Sequence, residues 1–452
     1  MEKRTNREVT RRDFLKTAGA ATVAAVTVGV ARPGYVAESG PLRIGLIGCG
    51  GRGTGAAGQA LRAAEVCGVP VQLVALSDVF KDKLDAARKR FTESGSKQGN
   101  VKLTDETCFS GLDGYKKLLE TDVNYVILAT PPGFRPMHFE AAVAAKKNIF
   151  TEKPVGTDSV GIRRFMAAAK KAEELKLSVV AGTQRRHDRS YMETMKKIHG
   201  GEIGDILAAR AYWCGGPVFK ATKREPQWSD LEWQLRAWYS FCWICGDNIV
   251  EQHVHNLDVI NWAMRAHPIG AFASGGRAWK TNEDYMGNIW DNFSVDYEYQ
   301  IGDRIVHMTS MSRHWKNCDG ANGEAVVGSK GTSNCRDNLG QKSEGGGEAS
   351  MVQEHMDLIN SITGKGPHMN EGMQVAESSF TAILGRESAY TGRRLTWDGL
   401  LNSDLNLLPK ELNFEAKLPP PVIPVPGSGA KGSPERGPKR EGGRKAGKAK
   451  TG

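Results

Sequence analysis

Outside its two ends the sequence has no excess of positive charge. The formal net charge is +10. Residues 431–450 contribute +6 of it and residues 1–32 the other +4, so residues 33–430 are neutral overall. A nucleic-acid footprint would put basic residues on the folded body, and no nucleic-acid partner is expected. The chain also lacks paired cysteine motifs. Of its eight cysteines only Cys242 and Cys245 stand close together. A structural zinc wants a second such pair, and the flanking Phe241, Trp243 and Ile244 suit buried thiols instead. No uncharged apolar run is long enough for a stable membrane span. The nearest to one, Thr17–Ala31, is too short and too rich in alanine. Internal repeats are absent as well.

What is present begins with Thr10-Arg11-Arg12-Asp13-Phe14-Leu15-Lys16, followed by the small, mildly apolar stretch Thr17–Ala31. This is the pattern of a twin-arginine export signal. It predicts passage through the twin-arginine translocase, already folded, to the periplasm. No nicotinamide pool exists there, so a cofactor used there must travel with the protein. The expected organisation is a signal peptide and spacer over 1–37, a first domain over 38–155, a second over 156–418, and a disordered Pro/Gly/Lys-rich basic tail over 419–452.

Residues 42–154 alternate strand and helix. Strands are expected over 42–47, 71–77, 125–129 and 148–151, with helices over 54–67, 81–91, 115–120 and 136–146. That order predicts a doubly wound parallel sheet. Beyond it come helices over 158–176 and 190–199, a strand over 177–180, and strand-like runs over 206–213, 269–278, 292–299, 304–312 and 324–327. Helices over 249–264, 351–363 and 372–391 flank these runs. Successive strands without intervening helices predict an α+β region with a mostly antiparallel open sheet.

Gly48-Cys49-Gly50-Gly51-Arg52-Gly53 is G-x-G-x-x-G running directly from the first strand into a helix. The first glycine permits the tight turn. The second lets the backbone approach a pyrophosphate, and the third lets helix pack on strand. Phosphates would sit at the helix N-terminus, where free N–H groups and the dipole favour anions. Asp78, at the end of the second strand, is placed to bind the adenosine ribose. A carboxylate there disfavours a 2′-phosphate, which favours NAD over NADP. Thr130 and Pro131 end the 125–129 strand at the sheet edge where cofactor would lie.

The order G-x-G-x-x-G, Ala129-Thr130-Pro131-Pro132, Glu152-Lys153-Pro154 and then an antiparallel region resembles the Gfo/Idh/MocA oxidoreductases over roughly residues 41–400. The resemblance implies a Rossmann domain followed by an α+β domain carrying the substrate face. It implies a sugar, sugar acid or cyclitol as substrate. It places Glu152 and Lys153 beside the nicotinamide, with Lys153 reaching the reacting hydroxyl. It also matches His255 to the acid/base histidine of an Asp-x-x-x-His pattern, with Glu251 standing where aspartate is usual. In a helix Glu251, His255 and Asp258 would share one face, while His253 points elsewhere. His253 and His255 diverge by about 200°, so no metal site is expected. Polar contacts to substrate are expected from Gln184 and Arg186, with His187 a weaker candidate. Six of the ten tryptophans lie between 213 and 262, and Arg236 and Tyr239 in that stretch are further candidates for hydroxyl contacts. Asp258 is another. A homo-oligomer, dimer or tetramer, is implied by carry-over from relatives.

These readings combine into an NAD(P)-dependent oxidoreductase with a tightly held cofactor. Two alternatives stay open. Transient oxidation could drive elimination of a glycoside, making a redox-neutral hydrolase. A non-catalytic sugar sensor would have no need of the Lys153 and His255 pair.

Overall fold

Leu42–Ile47 (β1) is buried at every position but Arg43, as a strand covered on both faces of a parallel sheet must be. It is the inner strand of a six-stranded sheet. Its companions are Val71–Asp78 (β2), Cys108–Ser110 (β3), Tyr125–Leu128 (β4), Asn148–Thr151 (β5) and Val179–Ala181 (β6). The order is β3-β2-β1-β4-β5-β6 with every pair parallel. The structure is a computed structural model that describes residues 40–95, 99–218, 221–281, 283–339 and 346–428. The signal segment and residues 429–452 lie outside these. The described residues belong to one compact unit.

Helix α1 (Gly51–Cys67) leaves the glycine loop and buries Ala56, Ala57, Ala60, Ala63 and Ala64 completely. Small side chains let it lie close to the sheet. Helices α2 (Lys81–Gly95), α3 (Gly114–Glu120) and α4 (Arg135–Ala144) make the next crossovers. The expected domain boundary at 155 falls before this sheet ends. The chain leaves β5, runs through α5 (Ser159–Glu174), and returns as β6 beside β5. The strand expected over 177–180 therefore completes the first sheet. A three-residue apolar strand carries no periodicity that would assign it to one sheet or the other.

Helix α6 (Arg189–His199) leads to the second sheet. Its strands are Ile206–Gly215 (β7), Gly270–Gly276 (β8), Asn292–Ile301 (β9), Arg304–His314 (β10), Ala321–Gly328 (β11), Thr332–Ser333 (β12) and Leu395–Thr396 (β13). The order is β12-β11-β7-β10-β9-β8-β13. Only β7 and β10 pair in parallel; the other neighbours are antiparallel. Between β7 and β8 lie α7 (Asp230–Arg236), α8 (Cys242–Cys245), α9 (Asn248–Glu251) and α10 (Val254–Met264). After β12 come α11 (Gly346–Thr363), α12 (Gly372–Thr391) and α13 (Trp397–Leu401), which follows β13. Helices α10 and α12 cover the inner face of this sheet, and α11 packs on α1. Phe272 on β8, Ile305 on β10 and Val327 on β11 stay exposed.

Two expectations are corrected. The helix expected over 249–264 is broken between Glu251 and Val254 into α9 and α10. The cause is visible in the hydrogen bonds. Lys153 Nζ takes the main-chain carbonyl of Glu251 at 2.6 Å, so that carbonyl is lost to the i+4 ladder. The His255 N–H donates instead to Gln252 O. The expected disorder does not begin at 419, because residues 419–428, though without helix or strand, are hydrogen-bonded to the folded body. Asn288 Nδ2 donates to Val422 O at 3.3 Å, Trp290 Nε1 to Pro424 O at 3.2 Å, and Gly427 N to Thr391 O. The apolar residues Val422 and Ile423 mark this segment, with Ile423 packed against the main core.

Candidate functional site

A cleft of about 750 Å³ runs along the carboxyl edge of the first sheet, walled on its far side by residues of the 222–255 stretch. At its centre is the glycine loop. Gly48 has φ +100, and a Cβ there would lie 2.6 Å from the Ala129 carbonyl carbon. A Cβ on Gly53 would lie 1.8 Å from Gly48 O. Gly50 and Gly51 have open space instead, and no side chain caps the helix that starts there. Two glycines thus close the turn, and two leave bare backbone and unclaimed helical amides facing the cleft. That cradle fits a pyrophosphate.

Asp78 ends β2 and holds the loop from the side. Its Oδ2 accepts from the Cys49 amide at 2.7 Å and its Oδ1 from the Phe80 amide at 2.9 Å. Burial raises its pKa against the pull of those amides. Cys49 itself is buried, its Sγ near Ser77 O, and only its backbone serves the loop. Arg52 lines the cleft but is bound to Glu152 and, at 2.8 Å, to Gln59.

Beyond the loop Thr130 is set from two directions. Its hydroxyl meets His138 Nδ1 at 3.0 Å, and its carbonyl accepts from Arg135, which also binds Pro154 O. Burial drives His138 down to about 3 and Arg135 to about 10, so the imidazole is neutral and the guanidinium charged. Pro131 lines the cleft next to Thr130. Glu152 is buried. Burial raises its pKa, but Arg52 and Lys153 outweigh that and hold it ionised. Gly182 is required beside it, because a Cβ there would lie 2.6 Å from Glu152 Oε2.

At the end of the cleft Lys153 Nζ donates to Glu251 Oε1 at 3.1 Å as well as to its carbonyl. Each side chain is 10% exposed. Gln252 Nε2 donates to Glu251 Oε2 at 2.6 Å. Burial raises the Glu251 carboxyl while Lys153 opposes it. His255 lines the same end and stacks on Trp213 with ring centres 6.0 Å apart. Burial, then the charges of Lys153, Arg185 and Arg52, push its pKa well below the ordinary imidazole value. Its ring makes no hydrogen bond among the described residues. His253 points away, to Ser310 Oγ at 2.8 Å.

Several predicted site residues lie elsewhere. Arg186 does not line the cleft; it forms a forked pair with Asp258 at 2.9–3.1 Å. Asp258 is further engaged by Gln374 at 2.9 Å and Ser378 at 2.7 Å. The i+7 spacing that joined Asp258 to His255 and Glu251 assumed an unbroken helix, and the break at Gln252 and His253 undoes it. Tyr239 is buried, stacked near His314, because the loop folds back on itself. His187 is held by Asp357 at 2.6 Å and Glu371 at 3.3 Å. Burial opposes that charge, yet the two carboxylates raise its pKa to about 10. Gln184 does line the cleft. Arg236 also lines it, but beside Phe80 and Asp82, far from Lys153 along the sheet edge.

Sequence reasoning missed His138, Arg135, Gln252 and Glu354. Glu354 projects from α11 into the cleft wall, 3.5 Å from Arg52. Burial and Glu152 push its carboxyl well up. Nothing in a sequence pattern singles it out, since α11 reaches the cleft only through packing on α1. Arg135 and His138 follow the Pro-Pro turn at helical spacing, which was a usable signal.

The fold and cleft define a dinucleotide-binding Rossmann domain followed by a second, mixed sheet, with residues of the 222–255 stretch rather than that sheet facing the cleft. Residues 42–180 match the Gfo/Idh/MocA oxidoreductase family model, an NAD-binding Rossmann fold, and residues 8–28 match the twin-arginine signal sequence. Residues 42–180 are thus similar to the NAD-binding part of that oxidoreductase family, behind a twin-arginine signal sequence, as the motifs suggested. It is 26% identical over 224 residues to an inositol 2-dehydrogenase of Acidothermus cellulolyticus, covering 49% of this chain and 53% of that protein. It is 24% identical over 256 residues to a glycosyl hydrolase family 109 protein of Streptomyces coelicolor, covering 52% and 51%. These matches span about half the length of the relatives concerned. A scyllo-inositol dehydrogenase structure from Lactobacillus casei, with NAD(H) and scyllo-inositol bound, shares the fold. Its TM-score is 0.57 at 18% identity, over 79% of this chain and all of that one.

Proposed function

We propose that this chain moves hydride between a retained NAD and a hydroxyl or keto carbon of a cyclitol, sugar or sugar acid. The observation that carries this reading is the convergence of Lys153, Glu251 and His255 at one end of a cleft that begins at the glycine loop and Asp78. Bound NAD supplies the hydride acceptor or donor. The glycine-loop amides hold its phosphates, Asp78 its adenosine ribose, and Thr130, Pro131, Glu152 and Lys153 border its nicotinamide end. Lys153 spends two donors on Glu251. An ammonium has three, and the third is directed to the substrate oxygen. His255, neutral and without a protein partner, takes the hydroxyl proton during oxidation and returns it during reduction. Glu251 keeps Lys153 aimed and is a positioning residue. Gln184 is proposed as a substrate contact.

The cyclitol preference rests on the inositol dehydrogenases among the similar proteins. Retention of the cofactor rests on the signal sequence, since a periplasmic enzyme has no pool to exchange with. The exposed outer face of the second sheet is the surface proposed for a homo-oligomer. A second reading, redox-neutral glycoside cleavage, is favoured by the similarity to a family 109 glycosyl hydrolase.

The test uses purified full-length protein. It is dialysed, assayed for bound NAD, and incubated with inositols, free sugars and aryl glycosides. NADH absorbance with a cyclitol or sugar supports the first reading. Phenol release without net NADH selects the second. Inertness toward all of them, with NAD bound, rejects both.

A further inference from the structure

The adenosine end of the cleft is closed from outside by a segment that sequence reasoning assigned to the substrate. Arg236, at the end of α7, donates to both oxygens of Asp82 at 3.2 and 3.3 Å. Its guanidinium lies 4.0 Å from the centre of the Phe80 ring and 5.3 Å from that of Trp228. Glu232, one turn earlier, accepts its Nε at 2.9 Å and fixes the side chain. Phe80 and Asp82 follow Asp78 directly, at the carboxyl end of β2. In a Rossmann sheet that is where the adenosine half lies, and the nicotinamide half lies over β4 and β5. Arg236 therefore stands over adenosine and not over a sugar.

The segment behind Arg236 is firmly anchored. Leu231, Trp233, Leu235, Phe241 and Ile244 form a core of their own with Phe134, against which Val79, Phe80 and Leu112 pack. The Leu418 amide binds Asp230, which ties the start of α7 to the chain's far end. To this apolar packing Arg236 adds an ion pair with Asp82 and its contacts with the two rings.

We propose that Arg236 and Asp82 form a latch over the adenosine moiety of the dinucleotide, with Phe80 and Trp228 as its aromatic seat, and that this latch sets how slowly NAD leaves. This rests on the retained-cofactor reading above and names the residues responsible for it. An exposed ion pair is weak alone, but cation–π contact adds to it, and together they are worth about tenfold in a dissociation rate.

The experiment follows release of NAD from the loaded full-length protein into buffer, for wild type, Arg236→Ala and Asp82→Asn. Arg236→Ala is expected to release NAD about tenfold faster, and Asp82→Asn to fall between it and wild type. Raising the salt should speed release from wild type and leave Arg236→Ala unmoved, because only the ion pair is screened. Asp82 is half exposed, so Asp82→Asn keeps the fold intact if Arg236→Ala does not. Wild-type release rates in both variants would overturn the latch. Rapid release from wild type itself would instead overturn the retained-cofactor reading, and the ratio of variant to wild-type rates would still decide the latch.

Discussion

Two ion pairs join the carboxyl edge of the first sheet to the 248–264 stretch, and they differ in what is left over. In the pair of Arg186 with Asp258, the carboxylate is enclosed by a forked guanidinium, Gln374 and Ser378, and Trp262 lies 5.0 Å beneath the guanidinium. No donor or acceptor of that set turns toward the cleft. In the pair of Lys153 with Glu251, one ammonium donor is uncommitted and an unpartnered imidazole stands beside it on the cleft wall. Both pairs use the same residue classes and lie close in sequence. The surplus of hydrogen-bonding capacity facing a cavity separates a site from a rivet.

The sharpest way to break this contrast is to remove one cation of each pair. Lys153→Met is expected to cut the kcat of the folded protein by about 10²–10⁴-fold in steady-state turnover, and, because it leaves the buried Glu251 carboxyl without its cation, to lower the melting temperature as well. A loss below about tenfold would make this pair structural too. Asp258→Ala strands the buried Arg186 charge and should cost about 3–5 kcal/mol in chemical denaturation, while the folded fraction keeps its kcat. The smallest effect is in pH. Because burial and Lys153 depress His255, the acid limb of kcat/KM for hydroxyl oxidation should fall below pH about 6.5, the ordinary imidazole value. Protonation removes the proton acceptor, so a depressed pKa moves that limb to lower pH. Taking away the Lys153 charge should move the limb back up, whereas Arg186→Gln should leave it in place. A limb indifferent to Lys153 would separate His255 from the pair.

Much of this was legible before folding. The glycine loop, Asp78 and Glu152-Lys153-Pro154 were read from short-range chemistry, because a turn, a strand end and a cofactor phosphate need particular residues at fixed offsets. Glu251 and His255, like the part given to Lys153, came from the resemblance to the Gfo/Idh/MocA oxidoreductases and not from the residues alone. Asp258 was misread by extending helical spacing through a helix that Lys153 interrupts when it takes the Glu251 carbonyl. Arg186 was expected from the resemblance to touch substrate, but Asp258 takes up its guanidinium instead. Arg236 was expected among the substrate contacts, and it lines the cleft beside Phe80 and Asp82. Its distance from β2 along the chain is long, and only the packing of α7 against Val79 and Phe80 brings it there.

By itself the sequence determined the alternation of strand and helix, the phosphate cradle, the carboxylate beside it, the lysine at the strand end and the export signal. Each is a local pattern, dictated by steric allowance, periodicity or a contiguous motif. The tertiary structure decided which polar residues were consumed by one another and which were left facing the cleft. That depends on hydrogen bonds between segments distant in the chain, where one captured carbonyl or one saturated carboxylate changes a residue's part.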